Sequence, residues 1–274
     1  WQQLMARCAE LPQAVQPMAL AGCHSVADFQ DVDYVTEYLE QLKSIVQEDA
    51  EHGGVDRGYS LSVAAAKYIA NAMVYDDVIR VADLKTRAVR FSRIRTDIGV
   101  SDDEVLYLTE YFHPRAQEVC AMFPARWGRL VESSPRLFRW LDRRVNRGRR
   151  IRTDNVLGFM QLYVIAGLRR WRRRLLRHAV EQQHMQTWLN SVLTTVSADY
   201  DLAVEMIRCH RLVKGYSDTH ARTLSKFDRV MAAAIDLRGS ADAADRVRRL
   251  CASAMQEEDD GTLVEALSAV KRVH

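Results

Sequence analysis

The chain has 274 residues, 48% hydrophobic and 27% charged, with 39 Lys and Arg against 36 Asp and Glu for a net charge of +3. That composition supports a sizeable core and excludes a disordered chain, which would be poorer in apolar residues and further from neutrality. Five cysteines (Cys8, Cys23, Cys120, Cys209, Cys251) form no Cys-x-x-Cys, which excludes a ferredoxin-type cluster motif and argues against a disulfide framework. Buried free thiols in a cytoplasmic protein are the expectation.

In chain order, Trp1 reads as an interior cut point of a longer protein, because neither an initiator Met nor a charged-then-apolar leader opens the chain. Residues 1–25, with Pro12, Pro17 and Gly22, read as an irregular lead-in or linker. Tyr34, Val35, Tyr38, Leu42, Ile45 and Val46 recur at helical spacing and predict an amphipathic helix over Asp33–Glu51, stopped by His52-Gly53-Gly54. Asp76 with Arg80, and Asp83 with Arg87, are i,i+4 ion pairs on the next helix.

Breaks follow at Gly99, His113-Pro114, Phe123-Pro124, Gly148, Gly215, Gly239 and Gly261. Ser101 with Glu104 and Thr262 with Glu265 fit capping boxes, and Ser134-Pro135 fits an N-cap followed by N1 proline. Gly215 followed by Ser217 reads as one helix stopping and another starting. The longest apolar run, Val156–Leu168, spans ~20 Å as a helix, short of the ~30 Å hydrocarbon core, and is expected to be a core helix. No alternating strand of useful length occurs. The fold expected is all-α: an irregular bundle of about nine or ten helices over residues 26–274, little or no sheet, and a candidate subdivision near 124–135.

Charge is unevenly spread. Arg136–Arg177 holds fourteen arginines opposed only by Asp142 and Asp154, which makes that segment +12 and leaves −9 elsewhere. Clustered Arg with an aromatic suits nucleic acid. Arginine's bidentate fork equally suits an acidic protein surface or a phosphorylated ligand. The plain alternative is a solvated or internally paired helix face, and five arginines among residues 169–174 cannot all face one ligand. Candidate interface or anion-binding residues are Arg143, Arg149, Arg150, Arg172 and Arg173, then Arg80, Asp83, Lys85 and Arg87, and finally Lys214, Asp218, His220 and Arg222. The last group also reads as a capped helix–turn–helix joint.

Two Glu-x-x-His pairs, Glu110…His113 and Glu181…His184, have the spacing of a ferritin-like di-metal bundle. Pro114 pushes His113 out of helical geometry, and Glu181 with His184 lies in a polar stretch. Cys209 beside His210 is no dyad, since adjacent helical residues point about 100° apart. Neither Gly-x-Ser-x-Gly nor a phosphate-cradling loop occurs, so no catalytic residue is assigned.

Four segments carry a resemblance: DVIRVADLKTR (Asp77–Arg87), EYFHPR (Glu110–Arg115), GLRRWRRRLLR (Gly167–Arg177) and LVKGYSDTHAR (Leu212–Arg222). Together they look like the helical C-terminal region of the long-form indolepyruvate ferredoxin oxidoreductase β subunit, over about Met18–Ala234. The resemblance implies a parent complex that oxidatively decarboxylates an aryl 2-oxoacid to its acyl-CoA. Thiamine diphosphate, iron–sulfur clusters and coenzyme A would serve it elsewhere in the complex, and ferredoxin would accept the electrons. This chain lacks cluster cysteines and a Gly-Asp-Gly motif, so it is expected to be an accessory helical domain without a cofactor of its own. Its arginine tracts would then attract acidic ferredoxin or coenzyme A phosphates. The alternatives are a basic nucleic-acid-binding domain and the di-metal bundle.

Overall fold

The structure is a computed structural model and describes residues 1–101, 104, 106–215 and 218–256, with only the backbone of Asp218. In chain order the helices are α1 (Gln2–Ala9), α2 (Gln16–Phe29), α3 (Val32–Glu51), α4 (Ser60–Met73), α5 (Val78–Thr86), α6 (Ala88–Ile98), α7 (Ala116–Ala121), α8 (Ala125–Ser133), α9 (Pro135–Val145), α10 (Val156–Gly167), α11 (Leu176–Val196), α12 (Tyr200–Arg208), α13 (Asp218–Asp236) and α14 (Ala243–Gln256). Two strands, β1 (Thr109–Phe112) and β2 (Arg149–Arg152), and two 3-10 segments, Leu168–Arg174 and Cys209–Leu212, complete the described elements. The class is all-α as expected, but fourteen α-helices among the described residues replace nine or ten. The excess comes from α1 and α2 near the start of the chain and from breaks that need neither Gly nor Pro. Arg87 turns extended between α5 and α6, and Asp199 starts α12 by accepting the Leu202 N–H at 2.9 Å.

The first 25 residues are not irregular. They hold α1 and most of α2, and Leu4, Cys8, Val15, Ala19 and Cys23 are buried. Pro17 falls in the first turn of α2, where its missing N–H costs nothing. Gly22 marks close packing rather than a break, because a Cβ there would lie 2.3 Å from the Tyr38 hydroxyl.

The chain divides into two compact units, residues 76–182 and the residues on either side of them. The boundaries therefore do not fall near 124–135. Pro124 caps α8 and Pro135 opens α9, so these prolines start helices within one unit.

The flanking unit is built on α2, α3, α4, the part of α11 from Gln183 onward, and α12–α14. Asp31 caps α3 through the Tyr34 N–H at 2.8 Å, and the buried Tyr38 hydroxyl donates to the Ala66 carbonyl at 2.8 Å. Asp49 is wholly buried and satisfied. Its carboxylate accepts the Ser62 N–H at 2.8 Å, the Ser62 hydroxyl at 2.6 Å and the Tyr200 hydroxyl at 2.8 Å.

In the 76–182 unit α10 packs on α5, while Ala116, Cys120, Leu141 and Leu176 form a small core under α7, α8 and α9. β1 and β2 pair antiparallel with Glu110 opposite Ile151 and Tyr111 opposite Arg150, a ribbon the sequence pattern did not announce. The core reading of the apolar run also fails. Only Gly158 and Leu162 of α10 are buried, and Val156, Leu157, Met160, Tyr163 and Val164 are exposed. With Gln161 its one polar residue, α10 has too little polar face to say which side packs. Ser134 sits at the expected cap position without a side-chain bond, and Ser101 bonds Glu104 as expected. Ser217, Gly261, Thr262 and Glu265 lie outside the described residues.

Candidate docking interface

The 76–182 unit is organised by buried charge. Arg172, 1% exposed, donates from Nε to Asp77 Oδ2 at 2.9 Å and from Nη2 to Asp77 Oδ1 at 3.3 Å. Asp77 is also the N-cap of α5, accepting the Arg80 N–H. One turn on, Asp83 receives Arg80 at 3.3 Å and Arg87 at 2.6 Å. Buried Glu110 on β1 takes both Lys85 and Arg90. Lys85 further lies 5.2 Å from the Phe112 ring centroid. Two segments that are distant in sequence, Glu110–Arg115 and Gly167–Arg177, thus each pair with the segment Asp77–Arg87. Sequence reasoning named Arg80, Asp83, Lys85, Arg87 and Arg172 as interface candidates. Of these, Lys85 and Arg172 are engaged across the unit by Glu110 and Asp77, whereas Arg80, Asp83 and Arg87 pair locally along α5.

Arg172 in particular is no surface residue, because it sits on a 3-10 turn that aims it inward while Arg173 and Arg174 face out. Asp77 and Arg90 were missed as network members, since nothing local distinguishes a capping aspartate from one that also meets a distant arginine.

Outside this network the unit presents arginines and aromatics. Arg143, Arg149, Arg150 and Arg173 are exposed as expected. No carboxylate partner is found among the described residues for Arg143, Arg144, Arg147, Arg149, Arg150, Arg170 or Arg174. Arg150 stands 5.5 Å from the Tyr111 ring centroid, Arg152 5.3 Å from Tyr107, Arg144 5.3 Å from Trp140 and Arg170 5.9 Å from Trp171. Arg152 is also paired with Asp154, a hydrogen bond that raises the guanidinium's pKa and lowers the carboxyl's. Trp127 and Trp140 are 65% and 58% exposed, each with a leucine three residues away, Leu130 and Leu137, also exposed.

By sequence the unit carries 23 Lys and Arg against 13 Asp and Glu, a net +10, and the rest of the chain is −7. Of those 23 cations only Lys85 is a lysine, whereas the flanking residues have 5 lysines and 11 arginines. Exposed Trp, Tyr and Arg with lysine excluded is the composition of protein-interface cores.

The Lys214–Arg222 candidates lie in the other unit. Lys214 and Arg222 are exposed, while His220 is buried. The Thr223 hydroxyl accepts the Lys214 N–H at 3.2 Å and lies 2.9 Å from the Lys214 carbonyl, closing the joint. The side chain of Asp218 is outside the described set. The four Glu-x-x-His residues have other partners: Glu110 as above, His113 with Asn146 at 2.6 Å, Glu181 with Arg177 at 2.7 Å and His184 with Asp228 at 3.2 Å. No group of three or more His, Cys, Asp or Glu arranged for a metal ion occurs among the described residues. No described helix is long and apolar enough to cross a membrane.

Fold and surface together define a helical protein with a charge-stapled unit that presents arginine and exposed aromatics. The chain belongs to the family of unknown function DUF6537, whose model matches residues 15–233. Comparison with curated proteins found no match, and comparison with solved structures found none either.

Proposed function

We propose that the chain is an accessory helical domain of a 2-oxoacid:ferredoxin oxidoreductase, docking other parts of that complex through the arginine and aromatic surface of residues 76–182. The observation that carries this reading is that two of the resembling segments, Glu110–Arg115 and Gly167–Arg177, each return to the third, Asp77–Arg87, through a charge pair, Glu110 with Lys85 and Arg172 with Asp77. Asp77, Lys85, Glu110 and Arg172 hold a scaffold, which suits a domain whose parent performs its chemistry elsewhere. The exposed Trp127, Trp140 and Tyr111, with Arg143, Arg144 and Arg150 lacking a carboxylate partner among the described residues, are anchors for an acidic protein surface, ferredoxin included.

The test is charge reversal of Arg143, Arg144, Arg149 and Arg150 to Glu in the parent protein. Co-purification with the other subunits, or turnover with ferredoxin at low salt, should fall by tenfold or more, and the loss should shrink as salt rises. Unchanged assembly and turnover would sink the proposal. Binding of a single-stranded oligonucleotide with a steep salt slope would favour a nucleic-acid role instead.

A further inference from the structure

In the flanking unit, Cys209 opens the 3-10 segment Cys209–Leu212 and Cys251 lies on α14. Their sulfurs are 3.1 Å apart, about 1 Å beyond bonding distance, though 42 residues separate them. Both are buried. The Arg211 guanidinium lies beside Cys251, and its buried Nε has no hydrogen-bond partner among the described residues. Glu205 on α12 is the nearby carboxylate, and it is engaged by Arg208 at 2.9 Å and Arg248 at 3.1 Å.

We infer that Cys209 and Cys251 form a reversible dithiol–disulfide site oxidised by small hydroperoxides. The two thiols are unequal. The Cys209 hydrogen bond and then Arg211 lower the Cys251 pKa against its burial, whereas that bond and burial raise Cys209. The Arg211 guanidinium beside Cys251 makes it the thiolate that attacks, and Cys209, 3.1 Å away, the thiol that resolves. Burial of both sulfurs selects a small neutral oxidant over a bulky disulfide.

In the first step the Cys251 thiolate bonds one peroxide oxygen, the O–O bond breaks, and the departing hydroxide takes a proton to become water. Cys251 is left as a sulfenic acid. In the second step the Cys209 sulfur attacks Cys251 Sγ, the S–O bond breaks, and the hydroxyl leaves as water with the Cys209 proton. Two thiols and one peroxide give one disulfide and two waters. Cys8 and Cys23, also buried neighbours, are a built-in contrast, because burial dominates there and pushes Cys23 up to about 12.

The experiment treats the reduced full chain with near-stoichiometric hydrogen peroxide and maps peptides without reductant. A Cys209–Cys251 cross-link that a dithiol reductant reverses, with a higher Tm in the oxidised form, is expected. In Cys209→Ala a sulfenic-acid trap such as dimedone should label Cys251, and in Cys251→Ala Cys209 should stay unlabelled. Should either variant fail to fold, the wild-type map decides alone. Peroxide that leaves both thiols intact, or links Cys8 to Cys23 instead, overturns the inference. So does a trapped Cys209.

Discussion

Arg172 and Asp77 meet through two hydrogen bonds across 95 residues of chain, with Arg172 almost entirely out of water. A buried ion pair is not in itself a large source of stability, but removing one partner strands the other charge. Arg172→Met should therefore destabilise the 76–182 unit by about 3–5 kcal/mol. Asp77→Asn in that background should recover part of the loss, because asparagine still caps α5 while carrying no charge. Urea unfolding of the four proteins of the cycle measures this, and an Arg172→Met loss below ~1 kcal/mol would contradict it.

Tyr200 donates to Asp49 and lies 3.3 Å from the Leu61 N–H, all of them buried. Tyr200→Phe removes both contacts and leaves the other groups short of a partner. The expected cost is about 1–3 kcal/mol, read as a lower urea midpoint at unchanged slope. A midpoint equal to wild type would mean that water replaces the hydroxyl.

Two glycines of α10 should respond in opposite directions. At Gly158 a Cβ would lie 1.9 Å from the Arg152 carbonyl oxygen, which is backbone and cannot swing away. Gly158→Ala should cost about 1–3 kcal/mol or more. At Gly167 nothing lies within 4 Å, so Gly167→Ala should be neutral or stabilise by up to about 1 kcal/mol. Thermal melts of the pair check the contrast. Equal shifts would refute the close approach.

Burial, helped by the charges of Arg173 and Arg172, pushes His178 down to about 4. Between that value and the usual 6.5 the unfolded chain binds the extra proton, so stability rises with pH through this window. The contribution is fully present above about pH 6.5 and is lost as pH falls toward 4. Its size is on the order of 2 kcal/mol after discounting for partial exposure. His178→Gln should flatten the acid limb of a stability–pH curve. An unaltered limb would assign acid sensitivity to other groups.

Local chemistry in the sequence was enough for helical class and for many element ends. The break at Gly99 ends α6 in the left-handed conformation, whereas the Asp31 and Asp199 caps went unread although each needs only an N–H three residues away. The arginine excess of residues 136–177 was equally plain, being a matter of counting. Tertiary structure alone decided which of those arginines are surface. Arg172 and Arg173 are neighbours of identical chemistry, yet the 3-10 turn buries one against Asp77 and exposes the other. It also decided that α10 shows an apolar face and that Glu110 serves cations rather than a metal-type pair with His113. Pairing over long separations depends on where the backbone returns, and no short window of sequence carries that information.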